Sequence, residues 1–307
     1  LKIVPNDLKP EPKTKKRPEP TTDPSIYKEK WMASLEPKPE IQGAIMSLDV
    51  HTGELIAMEG GYNFEQSQFN RAIQAKRQPG SSFKPIIFAS AIERGYTPVS
   101  MIVDAPLVFK QEEGTWKPTN FEEEFYGDTM FRYAFIKSRN IPTIRLVVDQ
   151  GVQTIINFGK RLGFSADYPS DLSISLGSSA TSLEELTKLY AVFPRKGRKV
   201  TPIYIRKVVA RDGTVLEENK PDTIPHNVGT TIPQEPRDTK LEQAALKLEG
   251  MKDGDDESMR DLNPPKAYLP PLPDDRDPAQ VLDPRVAFVM THLMKDCLLY
   301  TSPSPRD

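Results

Sequence analysis

Residues 77–95 run RQPGSSFKPIIFASAIERG. Gly80 and Ser81 form the entry to a helix. Pro85 is compatible with that helix because it falls in the first turn, where an N–H has no partner to lose. Phe83, Ile86, Ile87 and Ile92 make the segment so apolar that it predicts a largely buried helix. Gly95 stands where a left-handed residue closes a helix. Ser81 and Lys84 are three positions apart, which on a helix puts them on one face about one turn from each other. A serine is a poor nucleophile at neutral pH and needs a base. A lysine desolvated by a buried helix loses part of its proton affinity and can serve as one. Free N–H groups at the helix start favour an oxyanion there. The spacing by itself is weak evidence, since roughly one Ser-x-x-Lys is expected by chance in a chain of this composition. A second copy, Ser25 to Lys28, lies in a polar stretch with no packed helix to hold it. The bland reading of Ser81 is a helix N-cap beside a surface lysine.

Upstream, residues 1–40 are rich in Pro, Lys and Glu and read as a linker or irregular extension. Order is expected from about residue 41. GAIMSLDV and ELIAMEGG flank His51-Thr52-Gly53 and predict a β-hairpin over 43–60. Downstream, a helical pattern starts at Thr129, breaks at Ser138-Arg139-Asn140, and resumes from Pro142 to a stop at Gly151. VQTIINFGKRLG, residues 152–163, predicts another helix. Ser182 and Glu185 form a capping box before LTKLYAVF. YIRKVVARDGTVLEE is a hairpin turning at Asp212-Gly213. Residues 217–280 are acidic, Pro-rich and aperiodic, and read as a long insertion or linker. Asp283 as N-cap and Pro284 at the first helical position then introduce the helix RVAFVMTHLMKD, ending at Asp296.

The break at 138–140 carries chemistry of its own. It exposes side chains while packing fixes it on both sides. A Ser138 hydroxyl there could relay a proton between base and leaving group, and an Asn140 amide could orient a substrate peptide bond. An ordinary Asn-containing helix cap would look the same.

Composition excludes several classes. A formal net charge of -2 supplies no electrostatic argument for nucleic acid or an anionic membrane surface. The one cysteine, Cys297, allows no internal disulfide, and His51, His226 and His292 are too scattered for zinc spacing. No phosphate-cradling glycine motif occurs. No cofactor is called for. No apolar run is long enough to span a bilayer.

Taken together, RQPGSSFKP followed by SRN resembles the transpeptidase domain of class A penicillin-binding proteins, the bifunctional peptidoglycan synthases of the bacterial envelope. QFNRAIQAKRQPGSSFKP, WKPTNFEEEFYGD, AFIKSRNIPTIRL and SISLGSSATSLEELTKLYAVF are all similar to that family, in its order. The likeness covers residues 41–216 and returns with the helix at 281–296. It implies an α+β fold, an antiparallel sheet flanked by helices. It implies D,D-transpeptidase chemistry: Ser81 attacks the D-Ala–D-Ala carbonyl of a peptidoglycan stem peptide, and the acyl group passes to an amine on a neighbouring strand. In this scheme Lys84 is the base, Ser138 a proton shuttle and Asn140 a partner of the acyl-chain amide. The Ser81 N–H is half of an oxyanion hole. β-Lactams would acylate the same serine. Nucleic acid is no partner, and the membrane is met only through an N-terminal anchor outside this chain. A carboxypeptidase or β-lactamase-like serine enzyme is the second reading. A non-catalytic envelope binding or scaffold domain is the third.

The chain departs from the family in one respect. The family's third motif, K-[ST]-G, lies on a strand after the helix that here reads RVAFVMTHLMKD, and no such triplet occurs in the 307 residues. The sheet is therefore expected to be incomplete, with an exposed edge, and the activity of this chain alone to be weak or absent. Residues 297–307, CLLYTSPSPRD, match the translation of a transposon-based sequencing adapter letter for letter and are expected to be non-native. Truncation is expected at both ends, with a glycosyltransferase domain and anchor before Leu1.

Overall fold

The computed structural model describes residues 2–5, 31–34, 40–111, 114–221 and 277–301. Ser25 and Lys28, most of the stretch expected to be an acidic insertion, and residues 302–307 of the tail lie outside them. The chain divides into two units, Leu1–Gly43 and Ala44–Asp307. In the first, β1 (Lys2–Pro5) and β2 (Trp31–Ser34) pair antiparallel, Lys2 opposite Ser34 and Pro5 opposite Trp31. Composition predicted no strands here. The two short runs that pair carry Ile3, Val4 and Trp31, β-branched and aromatic residues that suit a strand.

The second unit is organised around α1 (Lys84–Glu93), on which every residue from Lys84 to Ile92 is buried. Such a helix has no solvent face and must be enclosed. α2 (Phe131–Ile136), α3 (Asn140–Gln150), α4 (Val152–Leu162) and α6 (Pro284–Thr301) all pack against it. α5 (Leu183–Ala191) lies on the strand that opens the unit. Phe88 sits at the centre, its ring edge-on to Phe131 at 4.7 Å and to Phe135 at 5.0 Å. α6 contributes Val286, Ala287, Met290 and Leu293, one stripe at helical spacing, all buried.

The strands come in antiparallel pairs. β3 (Ile45–Leu48) pairs with β4 (Leu55–Glu59), the expected hairpin, with Gly53 at φ +78 in its turn. β5 (Met101–Asp104) pairs with β8 (Gly127–Met130), β6 (Phe109–Gln111) with β7 (Gly114–Trp116), and β9 (Lys207–Val209) with β10 (Val215–Glu218). Among the described residues no sheet exceeds two strands. This is the α+β fold with an incomplete sheet that the resemblance implied.

Two local details differ from expectation. The helix expected from Thr129 begins at Phe131, because Gly127–Met130 is drawn into pairing with Met101–Asp104. The capping box is half formed: the Ser182 hydroxyl accepts from the Glu185 N–H at 3.1 Å, but the Glu185 carboxylate turns instead to the Ser165 N–H and to Thr181 Oγ1. α6 starts as predicted, the Arg285 N–H donating to the Asp283 carboxylate at 2.8 Å. It continues past Asp296 through Thr301, with Leu298 and Leu299 exposed.

Candidate active site

Ser81 lies on a one-turn 3-10 segment, Gly80–Phe83, that runs directly into α1. Gly80 adopts φ +56, a conformation that suits glycine. The turn is braced from outside. The Gly80 N–H donates to the Gly177 carbonyl at 3.2 Å, Arg77 and Thr181 exchange two backbone hydrogen bonds, and the Tyr190 hydroxyl donates to the Ser82 carbonyl at 2.9 Å. Phe83 is fully buried, edge-on to Phe164 at 5.5 Å, and anchors the turn to the core. Ser81 itself is exposed.

One turn on, Lys84 is 3% exposed. Its amine donates to the Ser138 carbonyl, to Ser138 Oγ at 3.1 Å and to Asn140 Oδ1 at 2.9 Å. These three acceptors satisfy the three protons of an ammonium. Burial lowers the Lys84 pKa to about 8, against an opposing contribution from the negative charge of Glu122. The four residues singled out by sequence thus divide in an unexpected way. Lys84, Ser138 and Asn140 are directly bonded, while Lys84 makes no hydrogen bond to Ser81 among the described residues. A lysine at this pKa has an appreciable neutral fraction near neutrality, and the Ser138 hydroxyl can either accept from it or donate to it. That pair can move a proton; Ser81 and Ser82 are both exposed on the turn before Lys84, and Ser81 is the one at the three-residue spacing.

The break that carries Ser138 is a helix end of defined geometry. The Ser138 N–H donates to the Phe135 carbonyl and the Arg139 N–H to the Ala134 carbonyl, both at 3.0 Å, with Ser138 at φ +53. This is the paired closure that usually puts glycine at the left-handed position. α3 then starts at Asn140 with no side-chain cap from its own N-cap residue, Arg139. Arg139 is buried instead, pairing with Asp104 at 3.1 Å and lying over the Tyr126 ring at 3.3 Å from the centroid.

Sequence reasoning assigned no role to Asp104, Asn120 or Gly177. Asn120 is 2% exposed and joins Asp104 to the start of α3. WKPTNFEEEFYGD shows an asparagine in a turn-rich stretch, which reads as a surface turn residue, and nothing in it marks the side chain as buried. Gly177 is likewise one glycine among many until its contact with Gly80 is seen. No group of His, Cys, Asp and Glu suited to a metal ion occurs among the described residues.

Comparison with known proteins identifies the family. Residues 43–234 match the family described as the penicillin binding protein transpeptidase domain. Penicillin-binding protein 1A of Pseudomonas aeruginosa is 35% identical over 264 residues, which cover 85% of this chain and 31% of that protein. The crystal structure of penicillin-binding protein 1A from Haemophilus influenzae superimposes with a TM-score of 0.65 at 25% identity, over 89% of this chain and 37% of that one. The PonA1 protein of Mycobacterium tuberculosis, solved in complex with penicillin V, matches with a TM-score of 0.51 at 27% identity, over 58% of this chain and 51% of that one. This chain therefore spans about a third of the two penicillin-binding 1A proteins. With its Ser81 turn, buried Lys84 and Ser138–Asn140 break on that fold, the chain belongs to the penicillin-binding protein transpeptidase domain family, as a class A member.

Proposed function

We propose that this chain carries the acyl-transfer site of a peptidoglycan D,D-transpeptidase of the bacterial cell envelope, with Ser81 as nucleophile. The observation that carries this reading is the buried Lys84 amine held between Ser138 and Asn140, one turn from an exposed serine. In the proposed reaction, Ser81 Oγ attacks the carbonyl carbon of the penultimate D-Ala. Its proton passes to Lys84 and, through Ser138, to the departing nitrogen. The C–N bond breaks, terminal D-Ala leaves as an amine, and an ester to Ser81 remains. An amine from a neighbouring strand then displaces Ser81, which regains its proton. Asn140 retains a second Nδ2 proton beyond the one donated to the Thr119 carbonyl, and that proton is available to the acyl chain. β-Lactams would follow the first half of this path, ring opening taking the place of D-Ala release. No cofactor is needed.

Two features bear on rate and on setting. The 307 residues contain no K-[ST]-G, so the second oxyanion donor and the cation for the substrate carboxylate are not supplied by that motif. Loss of one oxyanion donor costs about 10²–10³ in rate, and acylation of the isolated chain should be correspondingly slow. No helix among the described residues is long and apolar enough to cross a membrane.

The test is incubation with a fluorescent penicillin, read by mass spectrometry over hours. A covalent adduct on the peptide containing Ser81, absent from Ser81→Ala, is expected. An adduct that persists in Ser81→Ala, or one carried on a peptide without Ser81, would sink the assignment. Transfer to an added amine, rather than hydrolysis, separates a transpeptidase from a carboxypeptidase.

A further inference from the structure

We propose that Asn120 is a positioning residue of this site: it holds the first residues of α3 and, through Asn140, fixes the direction of the Lys84 amine. Asn120 Oδ1 accepts from the N–H of Asn140 at 3.0 Å and from the N–H of Ile141 at 3.1 Å. These are two of the donors that every helix start leaves without an internal partner. The residue that would ordinarily cap them, Arg139, has its side chain committed to Asp104 and Tyr126. A side chain twenty positions earlier thus supplies the cap.

The orientation of that cap is dictated by charge. Asn120 Nδ2 donates to both carboxylate oxygens of Asp104, at 2.8 and 2.9 Å, and to the Glu124 carbonyl at 2.8 Å. A carboxylate only accepts. A flipped amide would set its oxygen against both Asp104 oxygens and the Glu124 carbonyl and its NH₂ against two N–H groups, five contacts of the wrong sign. Asp104 cannot give way, being fully buried on β5 and paired with Arg139 at 3.1 Å. Asn140 is gripped twice by adjacent residues, through its backbone by Asn120 and through Nδ2 by the Thr119 carbonyl at 3.0 Å. Its Oδ1 is left facing Lys84 at 2.9 Å. The order of constraint runs Asp104, Asn120, Asn140, Lys84. Satisfied buried polar groups hold a single geometry, and both Asn120 and Lys84 have partners for all their side-chain polar groups.

A helix cap with no bearing on the site would change stability alone. A positioning residue also changes how Lys84 titrates, because releasing the 138–140 break lets water reach an amine whose pKa is held near 8 by burial. The experiment is an NMR titration of the 307-residue chain carrying ¹³Cε-lysine, with the Lys84 signal assigned through Lys84→Met. In Asn120→Ala the midpoint should rise by about one pH unit, a tenfold gain in proton affinity. Acylation of Ser81 should fall about 10–100-fold. Ile144→Val, which weakens α3 in its buried interior without touching the break, should leave the midpoint in place. If Asn120→Ala loses its cooperative unfolding transition, Asn120→Ser, which retains a short acceptor, is titrated instead and should move the midpoint in the same direction. A midpoint unchanged in the folded variant, or moved equally by Ile144→Val, overturns the proposal. The proposal rests on the acyl-transfer reading for its meaning, but the titration does not need Ser81 to react. An adduct that survives Ser81→Ala would overturn that reading while the Lys84 midpoint still decides the role of Asn120.

Discussion

Ser138 occupies a position that glycine takes at the ends of α1 and α4, although Lys196, at φ +57, is a second side chain held there. α1 and α4 end in the same paired closure, with Gly95 at φ +95 and Gly163 at φ +98 in the left-handed place. α2 ends with Ser138 at φ +53, although a side chain in that conformation costs roughly 1–2 kcal/mol. What the serine supplies is the hydroxyl that meets Lys84 at 3.1 Å. Ser138→Gly should therefore raise stability by up to about 1 kcal/mol, read as a higher urea midpoint. The same variant should lose about 10²-fold in Ser81 acylation, the usual contribution of a positioned proton carrier. A glycine variant that is less stable, or one that acylates at the wild-type rate, would contradict this account of the residue. In the proposed reaction Lys84 sets the pH response. With its pKa lowered to about 8 by burial, the neutral base is the minor form at pH 7, and the acylation rate should climb as pH passes through about 8 and then level off. A rate flat from pH 6 to 9 would remove Lys84 as the base. The same shift has a sign for stability. Between pH 8 and 10.5 the unfolded chain holds a proton that the folded chain has released, so this group makes the folded state gain stability as pH rises across that window.

At the scale of elements, the site is a meeting of two ends: the start of α1 with its Ser81 turn, and the gap between α2 and α3. Each is positioned by a segment distant in sequence. The Ser81 turn rests against Gly177, which has φ +70 and closes the 3-10 segment Leu172–Leu176. A Cβ on Gly177 would be driven into the Gly80 carbonyl, a backbone atom that cannot swing aside. Gly177→Ala should push the Ser81 turn off its seat. Misplacement of a reacting group by ~1 Å costs on the order of 10²-fold, and overpacking adds about 1–3 kcal/mol of destabilisation. Acylation rate and thermal midpoint, measured together, check both. An alanine variant that acylates normally would show that the Gly80–Gly177 contact has no bearing on Ser81. The other end is held by Asp104 on β5 and Asn120 in the loop before β8, so the short pair β5–β8 serves the site by bringing those two residues to the start of α3.

At the scale of the whole molecule, the helical layer is closed around α1 while the β3–β4 hairpin is covered on one side only. Met46, Leu48, Leu55 and Met58 are half-buried, whereas Ile45 is 63% and Ile56 66% exposed. Among the described residues the hairpin pairs with nothing beyond itself except a bridge between Glu54 and Ile203. Exposed apolar strands of this kind associate edge to edge. Ile45→Thr with Ile56→Thr should reduce light scattering at a given concentration while moving stability by no more than about 0.5 kcal/mol per site, as surface changes usually do. Equal aggregation of the double variant would place the tendency elsewhere in the chain. The sequence alone was enough to read the buried helix, the hairpin, the helix stops at Gly95 and Gly151, and the four candidate site residues. Those features depend on local rules, namely apolar density, glycine at a left-handed stop and the spacing of Ser81 to Lys84, and local rules are written in neighbouring letters. Tertiary structure decided which of the four residues touch, that the Lys84 amine bonds Ser138 and Asn140 rather than Ser81, and that Asn120, Asp104 and Gly177 lie against the elements that carry them. Those facts depend on burial and on contacts between residues 16 to 97 positions apart, where a polar side chain acquires its role from the partner that desolvation obliges it to find.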